Sequence, residues 1–271
     1  MPHRPRKRFS QNFLVDESAI GDIIDAVSPR AGDAMVEIGP GLGALTRPLS
    51  RVVQPLHVVE IDRDIAARLR AEFAPERLVV HEGDALEFDF AALGPRLRVV
   101  GNLPYHISTP LLFHLVEATH AIADIHAMLQ REVVERIVAE AAASDYGRLS
   151  VMLQYRFDIE KVLDVPAAAF KPEPKVESAV IRMIPRPAGA LSARNDRVFA
   201  ETVTLAFSQR RKTLRNTLGG VLTPADFEML GIDPQRRAQT LSLADFVKIA
   251  DYRTTPASRG GASDCEPKER R

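Results

Sequence analysis

Residues 34–43 read AMVEIGPGLG, a short apolar run that ends in a glycine-rich loop. A brief apolar run bounded by a turn is typical of a buried strand, and a helical pattern begins at Ala44. The same alternation recurs along the first half of the chain. The predicted strands are AMVEI (34–38), LHVVE (56–60), RLVV (77–80), LRVV (97–100) and DIHAMLQ (124–130). Strands that alternate with helices predict an α/β fold with a parallel sheet covered on both faces.

The pattern changes in the second half of the chain. Residues 149–165 and 177–184 have β-like patterns with no helix between them, which predicts an antiparallel hairpin at the edge of the sheet. A proline-stiffened loop, PAAAFKPEPKV (166–176), joins them. Residues 196–253 have a helical pattern throughout, strongest in TLAFSQRRKTLRNTL (204–218). We expect a small all-helical C-terminal domain there.

These patterns predict four parts, with a linker, PRPAGALSARN (185–195), before the helical domain. The end of the chain has almost no apolar residues, so we expect it to be disordered. The parts are a basic N-terminal arm (1–15), the α/β domain (16–185), the helical domain (196–253) and the tail (254–271).

Composition restricts the class of protein. Hydrophobic residues make up 45% of the 271 residues, enough for a sizeable core, and no apolar run approaches the roughly 18 residues of a membrane span. The N-terminus, MPHRPRKRFS, has no apolar segment and is not a secretory signal. The single cysteine, Cys265, excludes an internal disulfide and a cysteine-based metal site. The histidines have no metal-ligand spacing. We expect a cytoplasmic monomer with no metal and no membrane partner.

Positive charge is concentrated in two runs, although Lys and Arg (36) balance Asp and Glu (36) overall. Either run alone is explained as a solvated face or a loose tail. Two acid-free runs on either side of a neutral body favour an anionic polymer as partner. The residues are Arg4, Arg6, Lys7 and Arg8 in the first run and Arg210, Arg211, Lys212 and Arg215 in the second.

Several predicted strand ends carry groups that suit a nucleoside. The loop from Gly39 to Gly43 lets a ligand approach the backbone closely, although its G-x-G-x-G spacing is not that of a dinucleotide site and a structural turn explains it nearly as well. Glu60 ends the second strand, where a carboxylate can accept from both ribose hydroxyls. Asp84 follows the third strand and can accept from an adenine amino group or form a turn. In this order, the three features predict a nucleoside pocket.

The fourth strand ends in GNLPYHISTP (101–110). The exocyclic amine of a base is a poor nucleophile because its lone pair is delocalised into the ring. Carbonyls of Asn102 and Leu103 that accept its two N–H bonds would favour a pyramidal nitrogen, and Pro104 restricts the backbone that aims them. The Tyr105 ring would stack on the base. These residues suit methylation of an amine; the alternative is an ordinary helix start capped by Asn102.

Over about residues 6–250 the chain contains, in order, the segments KRFSQNFL, VEIGPGLGALT, VVEID, GDAL, GNLPYHISTPLLFHL, MLQREVVER, YGRLSV, FKPEPKVESAV and FSQRRKTLRNTL. In these segments it resembles the ribosomal RNA adenine dimethyltransferase family. The resemblance implies an enzyme that uses S-adenosylmethionine, releases S-adenosylhomocysteine and dimethylates N6 of two adjacent adenosines near the 3′ end of small-subunit rRNA in a pre-mature subunit. It also implies a Rossmann-like methyltransferase sheet followed by a small helical domain.

The resemblance also implies roles for individual residues. Phe170, otherwise an ordinary apolar anchor of its loop, would stack on the target base opposite Tyr105. The sequence departs from the family at Ser10, where glycine is usual, and at His106, where asparagine is usual. The residues implied to bind the cofactor are Asn12 and Leu14, which would close over it, Gly39 beneath its methionine part, Glu60 at the ribose, Asp84 and Ala85 at the adenine, and Asn102 between cofactor and amine.

The sequence also bears on three other functions. The related erythromycin-resistance methyltransferases act on large-subunit rRNA, but FKPEPKV and FSQRRKTLRNTL favour the small-subunit enzymes. A ribosome-assembly factor whose binding outweighs its catalysis is compatible with the same sequence. A nicotinamide-dependent dehydrogenase is opposed by the glycine spacing and by the lack of a hydride-transfer constellation.

Overall fold

The computed structural model describes residues 12–187 and 189–255. They form two compact units, one of residues 12–138 and 156–186, the other of the remaining described residues. The strands are β1 Phe13–Leu14, β2 Met35–Ile38, β3 Leu56–Glu60, β4 Leu78–Glu82, β5 Leu97–Asn102, β6 Ile122–Gln130, β7 Phe157–Val165, β8 Phe170–Lys171 and β9 Ser178–Pro185. The α-helices are α1 Glu17–Val27, α2 Thr46–Val52, α3 Arg63–Glu72, α4 Ser108–Glu117, α5 Arg131–Val138, α6 Arg148–Gln154, α7 Asp196–Ala206, α8 Leu214–Thr217, α9 Pro224–Leu230 and α10 Leu243–Thr254.

The first unit contains a seven-stranded sheet in the order β4-β3-β2-β5-β6-β9-β7. Strands β2 to β6 are parallel, whereas β9 is antiparallel to both β6 and β7. The chain builds outward from β2 to β4 and then returns to place β5 on the other side of β2. That reversal opens a crevice at the carboxyl ends of β2 and β5, where ligands bind in open α/β sheets. The predicted parallel strands and the antiparallel edge hairpin are confirmed.

Local sequence explains how the elements around this crevice form. All four residues of β2 are buried, as expected for a strand covered on both faces. Asp16 caps α1 by accepting from Ala19 N at 2.8 Å, and the helix turns Ile20, Ile23 and Val27 into the core. A separate two-stranded ladder pairs β1 with β8, with Leu14 opposite Phe170.

The second unit is helical and closes around its own apolar core. Phe199 of α7 stacks on Tyr155, with ring centroids 3.8 Å apart. The Tyr155 hydroxyl donates to Asp196 Oδ1 at 2.7 Å. Reciprocal capping boxes begin α9 at Thr223 and α10 at Ser242. No helix in the described part of the chain is long and apolar enough to span a membrane.

Two predicted elements are wrong, and one boundary differs. Of the β-like segment predicted over 149–165, only Phe157–Val165 is a strand; Arg148–Gln154 is helix α6, and at its start the Ser150 hydroxyl accepts from Gly147 N at 3.0 Å. Residues 139–155 cluster with the helical unit, not with the α/β domain to which the sequence assigned them. The helical pattern that is strongest over residues 204–218 is interrupted: α7 ends at Ala206, and α8 begins only at Leu214.

Tertiary hydrogen bonds explain the interruption. Leu214 N donates to Arg236 O at 2.8 Å, and Arg215 N donates to Pro234 O at 2.9 Å. These two amides are therefore not available to carbonyls four residues earlier, as a continuous helix requires. The basic arm up to residue 11 and the tail from residue 256 lie outside the described residues, so their predicted states stay predictions.

Candidate active site

A cavity of about 250 Å³ lies at the carboxyl ends of β2, β3, β4 and β5, within the first unit. The structure brings together here nine of the ten residues that the sequence analysis singled out for the cofactor and the target base. Those on the cavity wall are Asn12, Leu14, Gly39, Glu60, Asp84, Ala85, Asn102, Leu103 and Tyr105.

The glycine loop after β2 forms one wall of the cavity. Gly39 has φ +68° and Gly41 has φ +53°, a left-handed conformation that favours glycine. A Cβ atom at Gly41 would lie 3.1 Å from the Phe13 ring, and one at Gly39 would lie 3.6 Å from Asn102 O. Because these two residues lack a Cβ atom, the loop packs closely against Phe13 and Asn102, and a ligand can approach its backbone.

Glu60, the last residue of β3, is 6% exposed. Its Oε1 atom accepts from Asp62 N at 2.8 Å, and burial raises the pKa of the carboxyl. Asp62 itself caps α3 by accepting from Asp64 N at 3.0 Å. Glu60 therefore faces the cavity, whereas Asp62 serves to begin helix α3.

Asp84 combines the two roles that the sequence left open. Its Oδ1 atom accepts from Leu86 N at 2.9 Å, which makes it a turn aspartate. The residue also lies on the cavity wall, beside the buried Ala85. Because a carboxylate offers two oxygen atoms, the turn leaves Oδ2 able to accept from a ligand.

Glu37 lies on the same wall and was missed by the sequence analysis. It is 2% exposed, and burial raises the pKa of its carboxyl to about 7. Thr46 donates its hydroxyl to Glu37 Oε2 at 2.7 Å. The signal that could have found it is an acid inside the apolar run directly before the glycine loop.

The loop after β5 presents hydrogen-bond acceptors to the cavity. Leu103 N donates to Met128 O at 3.1 Å, which anchors the loop to β6. No group in the described ranges donates to the Leu103 carbonyl. Asn102 donates through Nδ2 to Asn12 O at 3.3 Å, which leaves the Asn102 Oδ1 atom as an acceptor. Helix α4 begins at Ser108, so the alternative in which Asn102 caps this helix is wrong.

Tyr105 is held at both ends. Its hydroxyl lies 2.7 Å from Ser178 Oγ, and its carbonyl accepts from Ser108 Oγ at 3.1 Å. Burial raises the pKa of the phenol, so the group stays neutral at physiological pH. The ring of a half-buried tyrosine on the cavity wall is suited to stacking on a planar ligand.

Other candidates lie away from the cavity. Phe170 is 3% exposed and packs in the core of the first unit rather than on the cavity wall. It belongs to β8, which pairs with β1. In the second unit, Arg210 is exposed and donates to Ser144 O at 2.5 Å, and three neighbouring basic residues are also exposed. These are Arg211, Lys212 and Arg215.

The remaining predicted RNA contacts, Arg4, Arg6, Lys7 and Arg8, lie outside the described residues. Among residues 12–187 and 189–255, no group of three or more His, Cys, Asp or Glu side chains could hold a metal ion. The wall of the cavity offers carboxylates, amide and backbone carbonyls, and an aromatic ring.

The sheet order and the position of the cavity are those of a Rossmann-like methyltransferase. The family described as "Ribosomal RNA adenine dimethylase" matches residues 2–255. Ribosomal RNA small subunit methyltransferase A of Nitrosospira multiformis is 60% identical over 252 residues, 93% of this chain and 97% of that protein. The protein of the same name from Thiobacillus denitrificans is 58% identical over 253 residues, 93% of this chain and 99% of its own length.

Solved structures agree with these relatives. A dimethyladenosine transferase from Plasmodium falciparum superposes with a TM-score of 0.73 at 26% identity, covering 88% of this chain and 95% of that one. The 23S rRNA methyltransferase ErmE gives a TM-score of 0.71 at 25% identity, covering 90% and 100%. The chain belongs to the ribosomal RNA adenine dimethylase family. The predicted family, fold class and enzyme class are confirmed: it is an rRNA adenine dimethyltransferase.

Proposed function

We propose that this enzyme transfers methyl groups from S-adenosylmethionine to N6 of two adjacent adenosines near the 3′ end of small-subunit rRNA, and releases S-adenosylhomocysteine. One observation carries the proposal: the acceptors of Asn102 and Leu103 line the same cavity as the buried Glu60. Identities of 58–60% to enzymes named for the small subunit, against 25% to ErmE, support the choice of subunit.

The cavity residues fit this cofactor. Glu60 offers a buried carboxylate to the ribose diol, and Asp84 Oδ2 with the buried Ala85 suits the adenine. The exposed backbone of Gly39 suits the methionine part, and Asn12 with Leu14 covers the cavity from the N-terminal side. S-adenosylmethionine, when bound, supplies an electrophilic methyl group.

The chain's own contribution to the reaction is to orient the amine. Asn102 Oδ1 and Leu103 O accept hydrogen bonds from the two N–H groups of the amine. These bonds favour a pyramidal nitrogen with a free lone pair. Tyr105 stacks on the adenine, a contact worth about 1–3 kcal/mol. After methyl transfer the nitrogen loses a proton to solvent, and a second methylation requires the same alignment of the remaining N–H.

Phe170 is proposed as the second stacking ring on the family resemblance. Phe170 lies in the β1–β8 ladder and is 3% exposed in the core of the first unit, so contact with a base requires a local rearrangement that exposes the ring. The ladder is only two residues long on each side, so few backbone hydrogen bonds hold it.

We propose small-subunit rRNA, within a pre-mature subunit in the cytoplasm, as the partner of a monomeric enzyme. Exposed Arg211, Lys212 and Arg215 offer three positive charges to phosphates, and Arg4, Arg6, Lys7 and Arg8 would add to them. Arg210 contributes less to RNA binding in this proposal because it already bonds Ser144 O.

The test is methyl transfer from labelled S-adenosylmethionine to small subunits purified from a strain that lacks this enzyme, with the modified nucleotides mapped. We expect N6,N6-dimethyladenosine at two adjacent positions near the 3′ end. Large subunits serve as the control for the erythromycin-resistance alternative. Label on the large subunit alone would overturn the proposal, and tight binding of small subunits without label would favour an assembly factor.

A further inference from the structure

We infer that Ser178 is a positioning residue for the methylation reaction: its buried hydroxyl holds the ring of Tyr105 in place for stacking on the target adenine. The inference rests on the proposed function and adds a residue from β9 to it. Ser178 Oγ lies 2.7 Å from the Tyr105 hydroxyl, although the residues are 73 positions apart in the sequence.

Ser178 is a rigid anchor because of its place in the sheet. It is the first residue of β9, fully buried at 0% exposure, and it is paired with a strand on each side. Gln130 at the end of β6 lies opposite it on one side, and Val165 at the end of β7 on the other. A backbone held on both sides cannot follow local motion of the loop that carries Tyr105.

Tyr105 needs such an anchor because it lies in an irregular loop. The loop leaves β5 after Asn102 and enters α4 at Ser108. At the start of α4, Ser108 Oγ donates to the Tyr105 carbonyl. With the backbone tied to Ser108 and the phenol tied to Ser178, both side-chain torsions of Tyr105 are restricted before a base arrives. Restriction in advance lowers the entropy cost of aligning the base with its acceptors.

The hydroxyl pair has no other evident use. Ser178 does not line the cavity, so it has no direct contact with a ligand there. Its hydroxyl nevertheless bonds Tyr105, which does line the cavity. A small polar residue at a fully buried strand position is satisfied by this one side-chain partner, and its effect on the reaction passes through Tyr105.

The test uses Ser178→Ala, Tyr105→Phe and the double variant, each assayed on small subunits from the strain that lacks the enzyme. Tyr105→Phe keeps the ring and removes only the hydroxyl, so it reports on the tether without loss of stacking area. We expect each single variant to lower kcat by about threefold to tenfold, the range of one net hydrogen bond, with the Kd for S-adenosylmethionine unchanged. The double variant should be no slower than the slower single variant, because both remove the same bond.

Ser50→Ala is the matched control, since Ser50 is also a fully buried serine of the first unit and its hydroxyl donates to Arg47 O at 3.2 Å. It should lower the melting temperature about as much as Ser178→Ala and leave kcat unchanged. A Ser178→Ala enzyme with wild-type kcat, or single effects that multiply in the double variant, would overturn the inference. Failure of the proposed function is distinguishable, because the wild-type enzyme itself would then not label the small subunit.

Discussion

A single residue, Glu60, carries the proposed recognition of the ribose through its buried carboxylate. Glu60→Ala should weaken S-adenosylmethionine binding at least about tenfold, since each charge-assisted hydrogen bond is worth roughly 1.5–3 kcal/mol. Calorimetry checks this. Glu82 lies opposite Glu60 in the β3–β4 ladder but pairs with Arg63 and Arg70, so Glu82→Ala is the control and should bind normally. Equal affinities of the two variants would show that Glu60 serves only the turn at Asp62.

Asn102 carries the second prediction at this scale. Asn102→Ala removes the acceptor aimed at the amine, so kcat should fall by about a hundredfold or more, as for the loss of one preorganised polar group at a reacting centre. Rates are measured at saturating cofactor because Asn102 also bonds Asn12 O. Binding of small subunits should change much less than the rate. A parallel loss of binding and turnover would contradict the role in the reaction.

At the scale of elements, the contact between β2 and β5 depends on a glycine. A Cβ atom at Gly101 would lie 2.5 Å from the Ile38 carbonyl, so Gly101→Ala must push the two strands apart next to Asn102. We expect a loss of about 1–3 kcal/mol in the free energy of unfolding, together with a loss of methyl transfer.

The matched control for Gly101 is Gly21→Ala on α1, where a Cβ atom meets nothing within 4 Å. Alanine is the better helix former there, so the free energy of unfolding should rise by about 0.5–1 kcal/mol. Urea denaturation measures both variants. If the two substitutions changed stability in the same direction, steric contact at Gly101 would not be the cause.

The basic turn between α7 and α8 carries the prediction about RNA. Arg211 and Lys212 are exposed, so replacing both with Gln should lower the affinity for pre-mature small subunits and reduce its dependence on salt. Cofactor binding and melting temperature should stay nearly unchanged. Arg210→Gln is the contrasting variant, since it removes the bond to Ser144 O and should lower the melting temperature. An unchanged salt slope in the double Gln variant would place the RNA surface elsewhere.

At the scale of the whole molecule, two buried groups make stability depend on pH in opposite directions. Burial lowers the pKa of His126 from 6.5 to about 4 and raises the pKa of Glu37 from 4.5 to about 7. For His126 the unfolded chain takes up the proton first, so its contribution is present above pH 6.5 and is lost as pH falls toward 4. For Glu37 the folded chain keeps the proton longer, so its contribution is present below pH 4.5 and is lost as pH rises toward 7.

Single variants should separate these two contributions. His126→Leu should flatten the loss of stability on the acid side, although Asp124, Arg98 and Arg182 still face the site. Glu37→Gln can still accept from Thr46 and should flatten the loss toward neutral pH. Urea unfolding between about pH 4 and 8, without cofactor, measures both curves. Variant curves that run parallel to the wild-type curve would show that neither group titrates as burial requires.

The sequence alone determined the parallel strands and most of the site. Short apolar runs bounded by turn residues favour buried strands in a sheet that is covered on both faces. Parallel strands then bring their carboxyl ends to the same edge of the sheet. The sequence alone therefore predicts that four residues lie close together: Gly39, Glu60, Asp84 and Asn102. The family resemblance then named the reaction, because its motifs cover nearly the whole chain in order.

Tertiary structure alone decided what depended on distant partners. The apolar pattern of residues 148–154 suits a strand or a helix, and burial in the helical unit selected the helix. The amides of Leu214 and Arg215 bond a segment some twenty residues later, which local propensity cannot anticipate. The pairing of Phe170 with Leu14 and the hydrogen bond between Ser178 and Tyr105 likewise join residues far apart in sequence. Such contacts form only when the sheet has assembled, so no local pattern records them.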